Sequence, residues 1–277
     1  YLAFTISMIM LFIRYKTREA QLKMDLQLKQ MEKQNIEISH NMGVQMFTNF
    51  SHELRTPLTL IIAPLTDLLH KEDMPPAYRQ PLELINRNSQ RLLWLGNRLM
   101  DFHKLEAGKM QLHVSNYNLG TYIPEIIKLF MPVAEKKNIS IEFNDTTSST
   151  DTWFDAILLE KVFFNLLSNS LKHTPNGGYI IISSMETNTE DIQKPENLGL
   201  PAEKILLIKV EDSGSGIPAN MMPRIFEAFF QAGEKVLGSG IGLNLTKSII
   251  ELHGGRIWID NKEGHGMTVS FTLPLGK

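Results

Sequence analysis

The chain has 277 residues, 43% of them hydrophobic, which suffices for about two ordinary domains, each with its own core. A formal net charge of −2 provides no global basic field, so direct nucleic-acid binding is not expected. Cysteine is absent, which removes disulfides, thiolate nucleophiles and cysteine-based zinc sites together and fits a reducing compartment.

The first thirteen residues, YLAFTISMIMLFI, carry no charge, and Arg14, Tyr15, Lys16 and Arg18 follow at once. Spanning a hydrocarbon core takes about 20 apolar residues, so residues 1–13 are expected to be the inner end of a transmembrane helix. The basic cluster then places the residues after it on the cytoplasmic side of an inner membrane. A signal peptide would put its basic residues before the apolar run, not after it.

Residues 14–45 are rich in Gln, Lys, Glu, Met and Leu and hold no proline, which predicts one long helix or coiled-coil linker. Met24, Leu28, Met31, Asn35, Ile38 and Met42 follow alternating steps of four and three, while Leu22, Leu26 and Ile36 lie off that stripe.

Residues 46–108 predict a helical hairpin. Phe50, Leu54, Leu58, Ile61, Leu65 and Leu68 form one face at helical period, from Met46 to Leu69. After the polar break KEDMPPAYRQP a second helix carries Leu82, Ile85, Leu92, Leu95, Leu99 and Phe102, with Gly108 as its stop signal. Two amphipathic helices leave apolar surface over, so the hairpin is expected to pair with a second copy in a four-helix bundle, making a homodimer.

From residue 109 to 277 short strands alternate with helices, the texture of an α/β domain. Strands are predicted near Gln111–Val114, Ser140–Phe143, Tyr179–Ser184, Ile205–Glu211, Arg256–Asp260 and Thr268–Leu273, and helices near Tyr122–Lys136, Ala156–His173 and Ile241–His253. The polar stretch Thr187–Glu203, with Pro195, Gly199 and Pro201, predicts an exposed loop.

With Phe50 at zero and ~100° per residue, His52 falls nearly opposite the apolar face of the first hairpin helix, with Thr56 on the same side and Glu53 on the flank. The run F-S-H-E-L-R-T-P-L, Phe50 to Leu58, resembles the phosphoacceptor box of the HisKA class of sensor histidine kinases. Neutral imidazole attacks a phosphoryl group through one ring nitrogen while a neighbouring carboxylate orients the other and takes its proton, a role that Glu53 is placed to fill. Pro57 has no N–H for the carbonyl of Glu53 and should bend the helix there, as Pro64 should further along. The resemblance implies that Thr56 helps to position a water in a reverse, phosphatase mode.

Four further blocks come in order. N-L-L-S-N-S-L-K-H-T, Asn165 to Thr174, places Asn165, Asn169 and Lys172 or His173 on one helix face and resembles the N box. Neutral amides such as that of Asn169 can complete the shell of a Mg2+ held mainly by phosphates, and Lys172 adds a point charge for those phosphates. E-D-S-G-S-G-I-P, Glu211 to Pro218, resembles the G1 box: Asp212 at a strand end can accept the exocyclic amine of adenine, and Gly214 and Gly216 let the backbone approach the ring. I-F-E-A-F-F-Q, Ile225 to Gln231, resembles the F box, with Phe226, Phe229 and Phe230 at the base of a lid and Gln231 where relatives place a polar or basic phosphate contact; Ala228 departs from the commoner arginine. G-S-G-I-G-L resembles the G2 box, where Gly238, Gly240, Gly242 and Leu243 open a helix whose N-terminal N–H groups suit phosphates, and Lys235 is a candidate contact in the short segment before it. The G-x-G-x-G spacing does not fit a dinucleotide fingerprint.

Together the blocks resemble the ATP-binding fold shared by histidine kinases, gyrase B subunits and MutL, the GHKL or Bergerat type: an α/β sandwich with a mixed sheet and helices on one face. The resemblance implies ATP and Mg2+ as ligands, autophosphorylation of His52, and transfer to an aspartate of a response-regulator receiver domain, separate or fused C-terminally. Two alternatives stay open. A gyrase-like ATPase would carry a glutamate where Asn165 stands, and an amide cannot take a proton from water. A silent scaffold would bind nucleotide without transferring it.

Overall fold

The computed structural model describes residues 8, 10, 14–19, 21, 23–24, 29–31, 53–71, 74–147, 152–189, 204–231, 240–262 and 264–275. They belong to two compact units, Tyr1–Gly108 and Lys109–Lys277.

In the first unit the described residues before position 32 are helical. Of the expected membrane segment only Met8 and Met10 are described, and among the described residues no helix is long and apolar enough to cross a membrane. Of the coiled-coil stripe, Met24 and Met31 are described and exposed; Leu28, Asn35, Ile38 and Met42 lie outside the described residues.

Helix α1 is described over residues 53–69 and runs unbroken through Pro57 and Pro64. Helix α2, Pro76–Glu106, starts inside the expected polar break. Pro76 occupies a first-turn position whose N–H has no partner in any helix, and Pro81 disturbs only the carbonyl of Ala77, in the exposed opening turn. Gly108 closes α2 with φ +62° and donates its N–H to the Leu105 carbonyl at 2.9 Å. Arg55 Nη2 donates to Asn97 Oδ1 at 2.6 Å and ties α1 to α2. Leu65 is buried, yet Leu54, Ile61 and Leu68 of the same stripe stay exposed, as do Ile85 and Leu92 of α2.

The second unit begins with β1, Ser115–Tyr117, antiparallel to a strand at Thr152–Phe154. The strand expected at Gln111–Val114 is displaced to 115–117, because the His113 N–H is taken by Asp155 Oδ2 at 2.9 Å and not by a ladder. Helix α3, Leu119–Lys136, starts three residues before the expected Tyr122, since Asn118 accepts the Thr121 N–H at 3.1 Å and caps it. Strand β2, Ser140–Asp145, and β3, Thr152–Phe154, lead into α4, Ala156–His173. Asp155 caps α4 through the Leu158 N–H at 3.0 Å. Strand β4, Tyr179–Asn188, extends beyond the predicted end, so Thr187 and Asn188 pair with Ile205 and Lys204 instead of opening a loop. Strand β5, Lys204–Asp212, is followed by helix α5, Gly242–Leu252, then β6, Ile257–Lys262, and β7, Gly266–Pro274.

The main sheet has the order β2-β4-β5-β7-β6, with β2 and β4 parallel and the other neighbours antiparallel. Period-two alternation puts Ile180, Ile182, Ile208, Val210, Val269 and Phe271 on one face, all buried. That face meets the apolar sides of α4 and α5, where Phe163 packs edge-on to Phe271 and Leu166, Leu245 and Ile249 are buried. The core therefore holds β5 and α4 at fixed registers, and the site is built on their ends.

His253, just beyond α5, is also buried. Its Nδ1–H donates to the Ile249 carbonyl at 2.8 Å and its Nε2 accepts the Asp155 N–H at 3.1 Å, which fixes a neutral tautomer between the end of α5 and the cap of α4.

Candidate functional site

Strand β5 ends at Asp212, whose carboxylate is buried at 4% exposure. Ser170 of α4 donates its hydroxyl to Asp212 Oδ2 at 2.9 Å, and the Gly214 N–H donates to Oδ1 at 3.0 Å. Burial pushes the carboxyl above the ordinary carboxylate range, against the pull of Ser170, Gly214, His173 and the Met267 N–H. Gly214 has no room for a side chain: a Cβ there would stand 2.7 Å from Asp212 Oδ1 and 3.1 Å from the His173 carbonyl oxygen. Gly216 takes φ +66° in the loop after β5.

That loop has a second anchor. Asn261 of β6 accepts the Ile217 N–H through Oδ1 at 2.7 Å and donates Nδ2 to the Ile217 carbonyl at 2.6 Å, and the Gly264 N–H donates to the Ser215 carbonyl at 2.8 Å.

Across α4 from Asp212 lies the start of α5. Asn165 is buried, and its Nδ2 donates to Thr246 Oγ1 at 2.7 Å. Gly242, the first residue of α5, packs its bare Cα against the Asn165 amide, where any Cβ would collide. Asn165 is thus a strut that seats the N-terminus of α5. Ser170 and Asn165 are five residues apart, about 7.5 Å along the axis, so one helix holds both the carboxylate and the glycine-led helix end. Asn169 is half-buried between them; Lys172 and His173 are exposed at the end of α4. Partial desolvation by its neighbours and the charge of Lys172 hold the His173 imidazole below its ordinary range.

The aromatic block forms the other rim. Phe229 has φ +64°, rare for a residue with a side chain, and donates its N–H to the Gly240 carbonyl at 3.0 Å. Gly240 has φ +68°, and a Cβ there would come within 2.5 Å of the Phe229 carbonyl carbon. Asn244 Nδ2 donates to the Phe226 carbonyl at 2.9 Å. Phe230 is half-buried under the Arg224 guanidinium, 4.6 Å from the ring centre, Gln231 is exposed, and Leu243 is half-buried in the first turn of α5. Lys235 and Gly238 lie outside the described residues.

In the hairpin, Glu53 and Thr56 are exposed on α1, and His52 lies outside the described residues.

Sequence reasoning missed Ser170, Thr246 and Asn261. Ser170 and Asn165 sit inside a recognisable block, but their partners lie 42 and 81 residues away. For Asn261 the one local signal is the G-H-G turn at 264–266 beside it.

The residues present fit a purine nucleotide and a metal carried by its phosphates. A buried carboxylate with spare acceptor capacity suits an exocyclic amine, and Thr174 Oγ1 is buried with no hydrogen-bond partner among the described residues. Among the described residues no group of three or more His, Cys, Asp or Glu could hold a metal ion, and the half-buried Asn169 offers a neutral amide oxygen.

Two family models match the chain. One describes a His Kinase A (phospho-acceptor) domain over residues 44–108, the other a histidine kinase-, DNA gyrase B- and HSP90-like ATPase over residues 154–277. Among similar proteins, Histidine kinase P4 of Formosa agariphila is 35% identical over 96% of this chain and 19% of its own length. Hybrid signal transduction histidine kinase D of Dictyostelium discoideum is 36% identical over 83% of this chain and 15% of its own length. The chain thus spans less than a fifth of either relative. Among solved structures, full-length ShkA in complex with AMPPNP matches with TM-score 0.67 at 22% identity, over 84% of this chain and 46% of that one. ThkA in complex with the response regulator TrrA matches with TM-score 0.53 at 24% identity, over 84% of this chain and 61% of that one. At these identities the two structures speak for the fold.

Proposed function

The chain belongs to the histidine kinases that join a HisKA hairpin to an HATPase-type α/β domain, and on that premise we propose that it binds ATP with Mg2+ and phosphorylates its own His52. The observation that carries this is the buried Asp212 carboxylate, held by Ser170 and Gly214 and set across α4 from the glycine-led start of α5. Such a pocket offers an acceptor to one end of a nucleotide and backbone N–H groups to the other.

Asp212 accepts the adenine amine. Asn169, Lys172 and the first turn of α5 around Gly242 and Leu243 receive the phosphates, joined by Gly240 and Gly238, and Gln231 and Lys235 supply further contacts. Mg2+, when bound, spreads the charge that develops on the transferred group. A ring nitrogen of His52 forms the bond to the γ-phosphorus as the bond from that phosphorus to the β–γ bridging oxygen breaks, ADP leaves, and the imidazole proton passes to Glu53. Asn165 cannot stand in as a base for water: an amide takes no proton, and its Nδ2 is spent on Thr246. This favours transfer over idle hydrolysis.

Beyond the transfer itself, the HisKA hairpin is expected to homodimerise, phosphoryl transfer onward goes to an aspartate of a response-regulator receiver domain, and Thr56 serves a phosphatase mode. We assign residues 1–13 to the end of a transmembrane helix, 14–45 to a signalling helix, 46–108 to the dimerisation and phosphotransfer domain and 109–277 to the ATP-binding domain, at the cytoplasmic face of the inner membrane.

Incubation with γ-labelled ATP and Mg2+ tests the proposal. Label on the protein that survives alkali, is lost in acid and is absent from His52→Gln is the expected result. Absence of label on the wild-type chain, or label retained in His52→Gln, overturns it.

A further inference from the structure

We propose that Ser170 is a specificity-determining residue, which makes the site read an amine and reject a carbonyl at the six-position of a purine by holding Asp212 as an oriented acceptor. The inference rests on the proposed adenine contact of Asp212 and adds to it a residue to which that contact owes its selectivity.

Ser170 and Asp212 are both nearly inaccessible, at 3% and 4% exposure, and come from different elements, α4 and β5. Their hydrogen bond joins Ser170 Oγ to Oδ2, Oδ1 takes the Gly214 N–H, and the Met267 N–H engages a third lone pair, so both carboxylate oxygens are held from the protein side. A carboxylate has about four such lone-pair sites, and the remaining capacity is what it offers to a ligand. With both oxygens anchored, the carboxylate plane cannot turn, and that capacity keeps one direction.

An exocyclic amine donates into it. A carbonyl oxygen in its place meets lone pair against lone pair, and a buried acceptor without a donor is expensive. The rejection depends on Asp212 staying ionised. Burial works against that, and the hydroxyl of Ser170 is the first of the groups that work for it, ahead of Gly214 and His173. Without the hydroxyl, Asp212 Oδ2 loses that anchor and the carboxyl takes up a proton more readily; its O–H then donates to a carbonyl, and the distinction between the two purines fades. Ser170 touches Asp212, so its part in recognition is positioning.

The test compares the dissociation constants of ATP and inosine triphosphate, which differ at the six-position, on the same preparations of the whole chain with Mg2+. A ratio of two constants on one sample is independent of the fraction folded, so a loss of stability alone leaves it unmoved. We expect wild type to favour ATP, Ser170→Ala to lower that preference at least tenfold, and Ser170→Cys, whose thiol is a weak donor, to fall between. A Ser170→Ala ratio equal to wild type overturns the role of Ser170 while leaving ATP binding intact. An Asp212→Asn variant with wild-type ATP affinity, or a wild type that binds neither nucleotide, overturns the adenine contact itself and this inference with it.

Discussion

At the scale of single residues, the α/β domain depends on a few side chains that each hold two elements together. Gly242 and Asn165 are one such pair, and Gly242→Ala forces a methyl group into the Asn165 amide. Overpacking of a tight contact costs about 1–3 kcal/mol. Urea unfolding should show that loss, and nucleotide titration a weakened affinity, because the displaced element is the start of α5. His253 is another. Burial holds its pKa below the ordinary histidine value, against the Ile249 carbonyl and Asp155, so the folded chain binds fewer protons than the unfolded chain at mildly acid pH. The stability it contributes is complete above an unfolded-state pKa of about 6.5 and declines as pH falls below that toward the folded value. Unfolding midpoints measured from pH 7.5 down to 5 should fall for the wild type and be flatter for His253→Gln. A slope of the same size in both would exclude His253 as its source.

At the scale of elements, the two capped helices of the second unit differ in how much hangs on the cap. Asn118 accepts one N–H at the start of α3, so Asn118→Ala should cost about 1 kcal/mol, an ordinary cap loss. Asp155 caps α4 and also accepts the His113 N–H, while its own N–H reaches His253. Asp155→Ala should therefore cost at least twice as much in the same unfolding assay, since a second N–H loses its acceptor. Equal losses would mean that the His113 contact adds nothing. Helix α4 was legible end to end because its apolar period, its aspartate cap and the proline after Thr174 agree. Strand β3 was not, since three residues carry no measurable alternation and its partner β1 lies far upstream, beyond α3 and β2. The inward turn of Asn165 was hidden for a related reason: a helix wheel reports which residues share a face, and Asn165 shares one with Asn169, but whether that face meets water or another helix depends on where α5 lies.

At the scale of the whole molecule, the apolar stripe of the hairpin exceeds what one copy covers. Leu54, Ile61 and Leu68 on α1 and Ile85 and Leu92 on α2 are each at least 40% exposed. Such a surface on a two-helix unit is expected to be covered by a second copy. Ile61→Glu should shift the chain from dimer toward monomer in sedimentation velocity while leaving ATP affinity within about twofold, since the residues assigned to the nucleotide all belong to the second unit. A variant that stays dimeric at every concentration would exclude this face as the interface. What the sequence determined alone was the order of the longer elements and the blocks that bear chemistry, because helical and strand periods, caps and glycine-rich turns are local properties written within a few residues. The tertiary structure decided what each polar group in those blocks is paired with. Ser170 meets Asp212, Asn165 meets Thr246, Asn261 holds Ile217 and Phe229 adopts a left-handed backbone against Gly240, all through contacts between segments whose separation in the chain carries no trace of their meeting. Hydrogen-bond partners are set by the packing of the sheet against α4 and α5, and packing is a property of the assembled core.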